Sequence, residues 1–316
     1  MATVNTTLGK LDPLELGAVD VHEHVILDGA DNPLIPEDFH HIETEKIATE
    51  LQSWKDAGGG AIVDSSPISV GRNIELLAEV SRAVCLPIIA ASGFHKARYY
   101  PETHWIHTES EESIHEILLG ECIQGILLDD HMPFTSNRSQ VRAGILKFGV
   151  DALGITPLLG KIISAMGKTM ETVDVNCMVH TEPGVPFVEV LRKLDENHIP
   201  PNRTIFCHIG KSLESEHHRL LAGVGYYLEF DEMVRPSPPL PNLSRAILHL
   251  FESGFGQKIL FAGDLARRSY WCCYGGRPGL DYLLEGLDQD LMKLGFTKEM
   301  LATIWNKNPQ RFFSGA

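Results

Sequence analysis

The sequence predicts an α/β protein, a single (β/α)8 TIM barrel. Apolar runs of strand length alternate with helical patterns eight times along 316 residues, about the length of one such barrel. Polar residues interrupt these runs at or near their C-terminal ends, which a barrel gathers into one mouth. No linker, low-complexity segment or strong internal repeat divides the chain, so we expect one domain over residues 1–316.

The predicted strands cover residues 18–22, 61–64, 87–92, 144–150, 175–180, 204–208, 225–230 and 258–264. For the fourth strand, residues 123–128 are an alternative to 144–150, which we favour. The predicted helices cover residues 43–57, 73–84, 109–120, 156–170, 185–197, 213–222 and 243–253. An amphipathic tail over 301–313 is expected to pack back on the barrel.

The composition excludes several classes of function. With 27 basic and 42 acidic residues the formal net charge is −15, which argues against a nucleic-acid partner. No apolar segment is long enough to span a membrane, and the N-terminus lacks a secretory leader, so we expect a cytoplasmic protein with no membrane partner. The six cysteines are too scattered for a disulfide scaffold.

The first apolar run ends in His22 and His24, separated by one residue. Side chains on a strand alternate with a period of two, so both imidazoles lie on one face and can reach one metal ion. Later runs are interrupted in the same way. The interrupting residues are His22, His24, Lys147, His180, His208 and Asp264. Histidines and a carboxylate gathered at one mouth predict a metal site with open coordination.

Lys147 is the unusual member of this set, because it lies inside an apolar strand. Burying a lone ammonium is costly, and an ammonium cannot ligate a metal. The amine becomes a ligand if it reacts with CO2 to form a carbamate, which can bridge two cations. The alternative is a lysine whose amine reaches the barrel rim.

Along nearly its whole length the chain resembles the phosphotriesterase-like family of the amidohydrolase superfamily. The matching motifs are His22-x-His24, the stretch Arg-Ala-Gly-Ile-Leu-Lys over 142–147, single residues at the ends of strands five, six and eight, and Asn-Pro-x-Arg-Phe over 308–312. The single residues are His180, His208 and Asp264.

The resemblance implies a binuclear centre. His22, His24 and Asp264 would hold one ion and His180 and His208 the other, with carboxylated Lys147 and a hydroxide bridging them. Such a centre activates water for hydrolysis, with Asp264 as the proton acceptor. We expect two divalent ions, zinc by default, while Mn, Co or Fe also suit these ligands. A homodimer is also implied.

Basic residues follow the catalytic aspartate closely. Arg267, Arg268 and Tyr270 come within six residues of Asp264, and together they predict an anion-binding cluster in an otherwise acidic protein. Arg268 could instead be paired with an acid or solvated.

The cluster resembles that of the branch of the family that hydrolyses phosphorylated sugar lactones. By that match Arg267, Tyr270 and Arg235 would hold a phosphate, and Lys96 from the strand-three loop adds a further cation. The predicted function is therefore hydrolysis of a small phosphorylated or otherwise anionic lactone.

Four alternatives remain open at this point: an organophosphate triesterase, an acyl-homoserine lactonase, an amidase acting on an N-acyl compound with an anionic tail, and a barrel scaffold without turnover. Other histidines carry less weight. The pairs at 40–41 and 217–218 lie in polar surroundings and are expected on the solvated surface.

Overall fold

A computed structural model describes residues 2–29, 36–235 and 237–315. The chain begins with an antiparallel hairpin of β1 (Val4–Thr6) and β2 (Gly9–Leu11). Eight parallel strands follow, each paired with the next along the chain, and form a nearly closed barrel. They are β3 (Ala18–Glu23), β4 (Gly59–Asp64), β5 (Ile88–Gly93), β6 (Ile145–Gly149), β7 (Asn176–His180), β8 (Thr204–Cys207), β9 (Tyr227–Phe230) and β10 (Ile259–Phe261).

Helices lie between successive strands and after the last one. They are α1 (Thr44–Asp56), α2 (Ile74–Val84), α3 (Glu111–Ile123), α4 (Pro157–Thr172), α5 (Phe187–Glu196), α6 (Ser215–Val224), α7 (Leu240–Glu252) and α8 (Gly286–Lys293). The tail comprises α9 (Lys298–Ala302), a π-helical turn (Thr303–Lys307) and α10 (Asn308–Ser314). Within the described residues, no helix has the length and apolar character needed to cross a membrane.

The predicted barrel fold is confirmed. Counted within the barrel, the fourth strand is β6, which lies in the favoured range 144–150. The alternative, residues 123–128, is not a strand: Ile123 ends α3, and Leu127 forms only an isolated bridge with Arg138. The hairpin β1–β2 and helix α8 were not predicted. The tail is helical as expected, and Asn308 fastens it to the barrel by donating to the carbonyls of Gly256 and Ile259.

Two buried carboxylates on β3 close the barrel against the segment after β10. Asp20 accepts hydrogen bonds from the backbone N–H of Gly263 at 3.2 and 3.3 Å, and Glu23 accepts one from that of Leu265 at 2.8 Å. The N–H of Asp264 also donates to the carbonyl of His22 at 2.9 Å. The first and last strands are thus joined next to two of the predicted metal ligands.

The core has two apolar layers separated by the sheet. One lies inside the barrel, where alternate strand residues such as Val63, Ile145 and Met178 pack, and Phe312 of α10 belongs to it. The other lies between strands and helices and includes Ile62, Leu146 and the helix residues facing them. This rigid frame fixes the positions of the strand ends.

Candidate metal centre

His22, His24 and Asp264 bring three donor atoms together at the mouth. Oδ1 of Asp264 lies 4.0 Å from Nε2 of His22 and 3.8 Å from Nε2 of His24. The three donor atoms all lie within 4.8 Å of one another. Both imidazoles are oriented through Nδ1, which lies 3.3 Å from a Glu229 carboxylate oxygen in His22 and 3.0 Å from the Ser66 hydroxyl in His24. Such partners fix which nitrogen faces a metal.

His180 and His208 form a second donor pair beside the first. Nδ1 of His180 lies 2.8 Å from Nε2 of His208, and both side chains are buried. On its other side, Nδ1 of His208 lies 2.8 Å from the buried carboxylate of Asp231. Two nitrogen lone pairs directed at one point suit either a shared proton or a cation.

Lys147 is buried between these groups. Its Nζ lies 3.3 Å from Nε2 of His22 and donates to the carbonyl of Ser65 at 2.9 Å. Burial lowers the pKa of Lys147, which favours the neutral amine. A neutral amine can react as a nucleophile, whereas an ammonium cannot.

Local backbone geometry directs the ligands into the mouth. Val19 and Val21 pack inside the barrel, so strict alternation would turn His22 away from it. The register of β3 against β4 shifts between Asp20 and Glu23, and such a bulge redirects a side chain.

After the strands β8 and β10, His208 and Asp264 take left-handed backbone conformations, with φ of 62° and 41°. Such conformations typically cost about 1–3 kcal/mol and cluster at functional sites.

The electrostatics of the mouth favour metal-binding protonation states. Burial is the largest cause that lowers the pKa of His24 to about 3 and holds that of His22 well below its usual value. Burial alone would raise the pKa of Asp264, but the guanidinium of Arg235 holds it below its usual value. Neutral imidazoles and an ionised carboxylate are the forms that bind divalent cations, so His22, His24 and Asp264 fit one such ion.

A cavity of about 640 Å³ opens in front of the metal-site residues. Its cationic side chains are Arg98, Arg235 and Arg267, and Tyr270 lies beside them. The segment between β3 and α1 adds an apolar wall that includes Leu27 and Phe39. The cavity has the size of a small-molecule site.

The sequence profile of the phosphotriesterase family matches residues 2–313. The chain belongs to this family. It is therefore an enzyme of a metal-dependent hydrolase family, and the scaffold alternative is set aside.

Two relatives and one solved structure show where the chain stands within the family. It is similar to a phospho-furanose lactonase of Mycoplasmopsis synoviae (strain 53), with 28% identity over 319 residues, covering 97% of this chain and 90% of the relative. An N-acetyltaurine hydrolase of Rattus norvegicus is 22% identical over 356 residues, covering 98% and 97%. The crystal structure of an amidohydrolase from Mycoplasma synoviae has a TM-score of 0.93 at 27% identity, covering 99% of this chain and 92% of that one.

Of the predicted substrate-binding residues in this family member, Arg267 and Tyr270 line the cavity. The Arg267 guanidinium lies 4.7 Å from the centre of the Phe39 ring and 3.9 Å from a carboxylate oxygen of Asp38, and the side chain is half exposed. Its neighbour Arg268 has a different role: it pairs with Glu43 at 2.6 Å. The two adjacent arginines therefore face different environments.

Arg235 and Lys96, both predicted to bind the substrate, have acidic partners within the protein. Arg235 lines the cavity, but its Nη2 donates to Asp264 at 2.7 Å and to Asp231 at 3.2 Å, so its charge is already paired. Lys96 is buried, and its ammonium forms an ion pair with Glu182 rather than lining the main cavity. The loop of Lys96 contributes Arg98 to that cavity instead.

Sequence reasoning missed several residues around the centre. Glu229 and Asp231 stand two apart at the end of the seventh barrel strand, behind His22 and His208. Two acidic residues spaced two apart at the end of an apolar strand face the same side of the sheet, and this pattern could have revealed them. His95, which also lines the cavity, follows Phe94 in a loop and gave no comparable signal.

Two histidines predicted on the surface are buried. His41 lies with its ring nitrogens 3.2 Å from the carbonyls of Val25 and Ala266. His218 is buried with Nε2 3.0 Å from the carbonyl of Ile209. Their polar sequence neighbours gave the wrong indication because backbone carbonyls, not side chains, supply the partners.

Proposed function

We propose that this enzyme hydrolyses the lactone of a small phosphorylated or otherwise anionic compound, using two divalent ions and a carboxylated Lys147. The observation that carries the anionic substrate is the charge of the cavity. Three arginines line it in a chain whose net charge is −15. Arg235 and Arg98 are paired with Asp264 at 2.7 Å and Glu182 at 3.2 Å, whereas the described acid nearest to Arg267 is 3.9 Å away, so Arg267 is the cation most available to a substrate. The similarity to a phospho-furanose lactonase supports the same substrate class.

The arginines of the cavity lie in two places, which we assign to two roles: holding the catalytic carboxylate and binding the anionic group of the substrate. Arg235 is paired with Asp264 beside the histidines, whereas Arg267 and Tyr270 lie on the loop that follows β10. The anionic group of the substrate therefore binds at Arg267 and Tyr270, and the ester bond lies over the metal ligands. Arginine suits a phosphate because its planar guanidinium can donate two parallel hydrogen bonds.

His22, His24 and Asp264 would hold one ion, and His180 and His208 the other. When bound, the two ions lower the pKa of a shared water and polarise the substrate carbonyl. We expect zinc, and Mn, Co or Fe also suit nitrogen and oxygen ligands.

Lys147 would supply the bridging ligand after reaction with CO2. The neutral Nζ adds to the carbon, an N–C bond forms, one C–O π pair moves onto oxygen, and one proton passes from the nitrogen to solvent water. The resulting carbamate carries a negative charge between the two donor groups. The lowered pKa and burial of Lys147 favour this reaction, because the free amine is the reactive form.

Asp264 is positioned to move the proton during hydrolysis. As the water oxygen bonds to the carbonyl carbon and the ring C–O bond breaks, one proton must pass from the water to the departing alkoxide. The Asp264 carboxylate accepts it and then delivers it, and Arg235 holds that carboxylate ionised and in place. The product is an open-chain hydroxy acid that retains the anionic group.

A second candidate is hydrolysis of the amide bond of an N-acyl compound that carries an anionic tail. The similarity to an N-acetyltaurine hydrolase favours it, and a sulfonate would suit the same arginines. A neutral organophosphate triester or an acyl-homoserine lactone fits less well, since neither uses the cations at Arg267 and Arg98.

The test begins with the purified protein reconstituted with Zn²⁺ or Mn²⁺ and bicarbonate, whose metal content is measured. A pH-indicator assay then compares a phosphorylated γ-lactone, the same lactone without phosphate, N-acetyltaurine and a neutral phosphotriester. About two ions per chain and at least tenfold higher kcat/KM for the phosphorylated lactone are expected. Preference for N-acetyltaurine would support the second candidate, and preference for the uncharged lactone or triester would refute the anion pocket.

A further inference from the structure

His95 is a cavity residue that the mechanism above does not use. It lies in the loop after β5 with its ring stacked on Tyr99, at a centroid distance of 4.4 Å and an interplanar angle of 8°. The His95 ring also forms a T-shaped contact with the His180 ring, with a centroid distance of 4.5 Å and an interplanar angle of 82°. Two aromatic contacts at nearly right angles leave the imidazole little freedom to rotate.

The surrounding backbone is arranged to hold this ring. The N–H of His95 donates to the hydroxyl of Tyr100 at 2.7 Å, and that hydroxyl donates to the carbonyl of Ile68 at 3.1 Å. At the end of β6, a Cβ on Gly149 would come within 2.9 Å of Nδ1 of His95, so the absence of a side chain there makes room for the imidazole.

The two ring nitrogens of His95 have different surroundings. Nδ1 is buried and has no hydrogen-bond partner among the described residues. Nε2 is then the nitrogen open to the cavity that the ring lines. A buried N–H without a partner is rarer than an unpaired acceptor, which favours the proton on Nε2. A fixed imidazole thus presents a donor to the cavity.

His95 faces the substrate from a different side than the anion site. It follows the third barrel strand, whereas Arg267 and Tyr270 follow the eighth, three strands away around the ring. A ligand that spans the cavity from Arg267 across the metal ligands therefore meets Nε2 of His95 at its other end. Arg98, the cavity-lining cation of the same loop, is already paired with Glu182 at 3.2 Å, so a neutral N–H donor there suits an uncharged acceptor, such as a hydroxyl oxygen.

We propose that His95 is a specificity-determining residue whose Nε2 donates a hydrogen bond to a hydroxyl oxygen of a polyhydroxylated, sugar-type lactone, at the end remote from the anionic group. This inference rests on the proposed lactonase function and narrows its substrate class. A packing role alone would need no nitrogen, because a phenyl ring would stack on Tyr99 and fill the same space.

The test uses two variants. His95→Phe keeps an aromatic ring and removes the N–H donor, and His95→Gln keeps an N–H donor at a similar distance from the backbone. His131→Gln, in an exposed loop outside the cavity lining, is the control. Each metal-loaded variant is assayed with a phosphorylated γ-lactone bearing ring hydroxyls and with its analogue lacking them. Calorimetric binding of the corresponding phosphorylated hydroxy acids provides a readout independent of turnover.

For His95→Phe we expect about a tenfold loss of kcat/KM on the hydroxylated lactone, mostly in KM, with weaker binding of its hydroxy acid. On the analogue without hydroxyls the change should stay within about twofold, and His95→Gln should recover most of the loss. Equal losses on both lactones, or none on either, would overturn the inference while leaving the proposed function standing. If the wild-type enzyme neither hydrolyses nor binds these compounds, the proposed function fails and this inference falls with it.

Discussion

Nη2 of Arg235 donates to Oδ2 of Asp264 at 2.7 Å and also to the backbone carbonyl of Asp264 at 2.9 Å. The arginine predicted to hold the substrate thus contacts the carboxylate that we propose moves the proton. The same nitrogen reaches Asp231, which in turn orients His208. Arg235 therefore connects the proton acceptor with the ligand pair on the other side of the centre.

Replacing Arg235 with methionine should shift the pH dependence of hydrolysis. Arg235 is the main cause that holds the pKa of Asp264 below its usual value, so its removal raises that pKa. Less of the catalytic carboxylate is then ionised at acidic pH, and the acid limb of the kcat/KM profile moves to higher pH. The loss of activity should be greater at pH 5.5 than at pH 8.5, measured under constant metal loading.

Arg235→Lys is the matched control, because it keeps the positive charge near Asp264. We expect its acid limb to lie between those of the wild type and Arg235→Met. A profile of Arg235→Met that is lowered by the same factor at every pH would contradict the electrostatic role and leave only a structural one.

Lys147→Ala should remove most of the bound metal and at least about a hundredfold of the activity, since the bridging ligand is lost. Metal analysis after gel filtration measures the first effect, and the lactone assay measures the second. Excess bicarbonate should not rescue the variant, because the amine that reacts with CO2 is absent.

Lys168→Ala is a suitable control for Lys147→Ala. Lys168 lies on the surface of α4, where it pairs with Glu111 and Glu112 of α3, and it is not among the residues that line the cavity. Its removal should leave metal content unchanged. Full metal occupancy and turnover in Lys147→Ala would show that the carbamate bridge does not form.

The adjacent residues Arg267 and Arg268 offer a matched pair of variants. Arg267→Ala should raise KM for a phosphorylated lactone about tenfold or more, because a charge-assisted hydrogen bond to the anion is lost. The same variant should change kcat/KM for the uncharged lactone by less than about twofold. Arg268→Ala should leave both substrates nearly unaffected, since its guanidinium is paired with Glu43 and packs on Tyr274. Equal effects of the two substitutions would contradict the placement of the anion at Arg267.

The barrel and the residues at its strand ends could be predicted because their signal lies within each strand. An apolar run that ends in His180, or that contains Lys147, shows its polar interruption in the local sequence. The strand period then places that side chain at the mouth, whatever the loops do. His22 and His208 are different: the bulge on β3 and the left-handed backbone at His208 turn in two side chains that strict alternation would point away, so the sequence identified these residues without predicting how they reach the mouth.

The loop residues could not be placed because their partners come from distant parts of the chain. Lys96 pairs with Glu182, which is 86 residues away, and Arg235 with Asp264, which is 29 residues away. No local pattern shows whether a cationic loop residue faces a substrate or an acid on another loop. The same limit hid His95, whose orientation depends on stacking within its loop and on the space beside Gly149.

Asp288 of α8 lies near the N-terminal ends of the barrel strands, away from the metal-site residues. Its carboxylate is partly buried, and burial disfavours the charged form. Burial raises its pKa to about 6, and the indole N–H of Trp305 donates to it at 3.0 Å. Below the usual carboxylate pKa the group is protonated in both the folded and unfolded states, so it has no effect on stability there. As the pH rises from the usual carboxylate pKa to about 6, the unfolded chain ionises while the folded protein still holds the proton, so stability falls over this range and levels off above it.

Asp288→Asn should therefore stabilise the protein at pH 7.5 by about 1–2 kcal/mol, after allowance for solvent screening of a side chain that is not fully buried. At pH 4 the two proteins should unfold at nearly the same urea concentration. The amide oxygen of asparagine can still accept from Trp305, so the substitution removes the charge and keeps the hydrogen bond. Asp290→Asn is the control, because that exposed carboxylate is paired with Lys293. A stabilisation of Asp288→Asn that is equal at both pH values would show that the charge of Asp288 is not its cause.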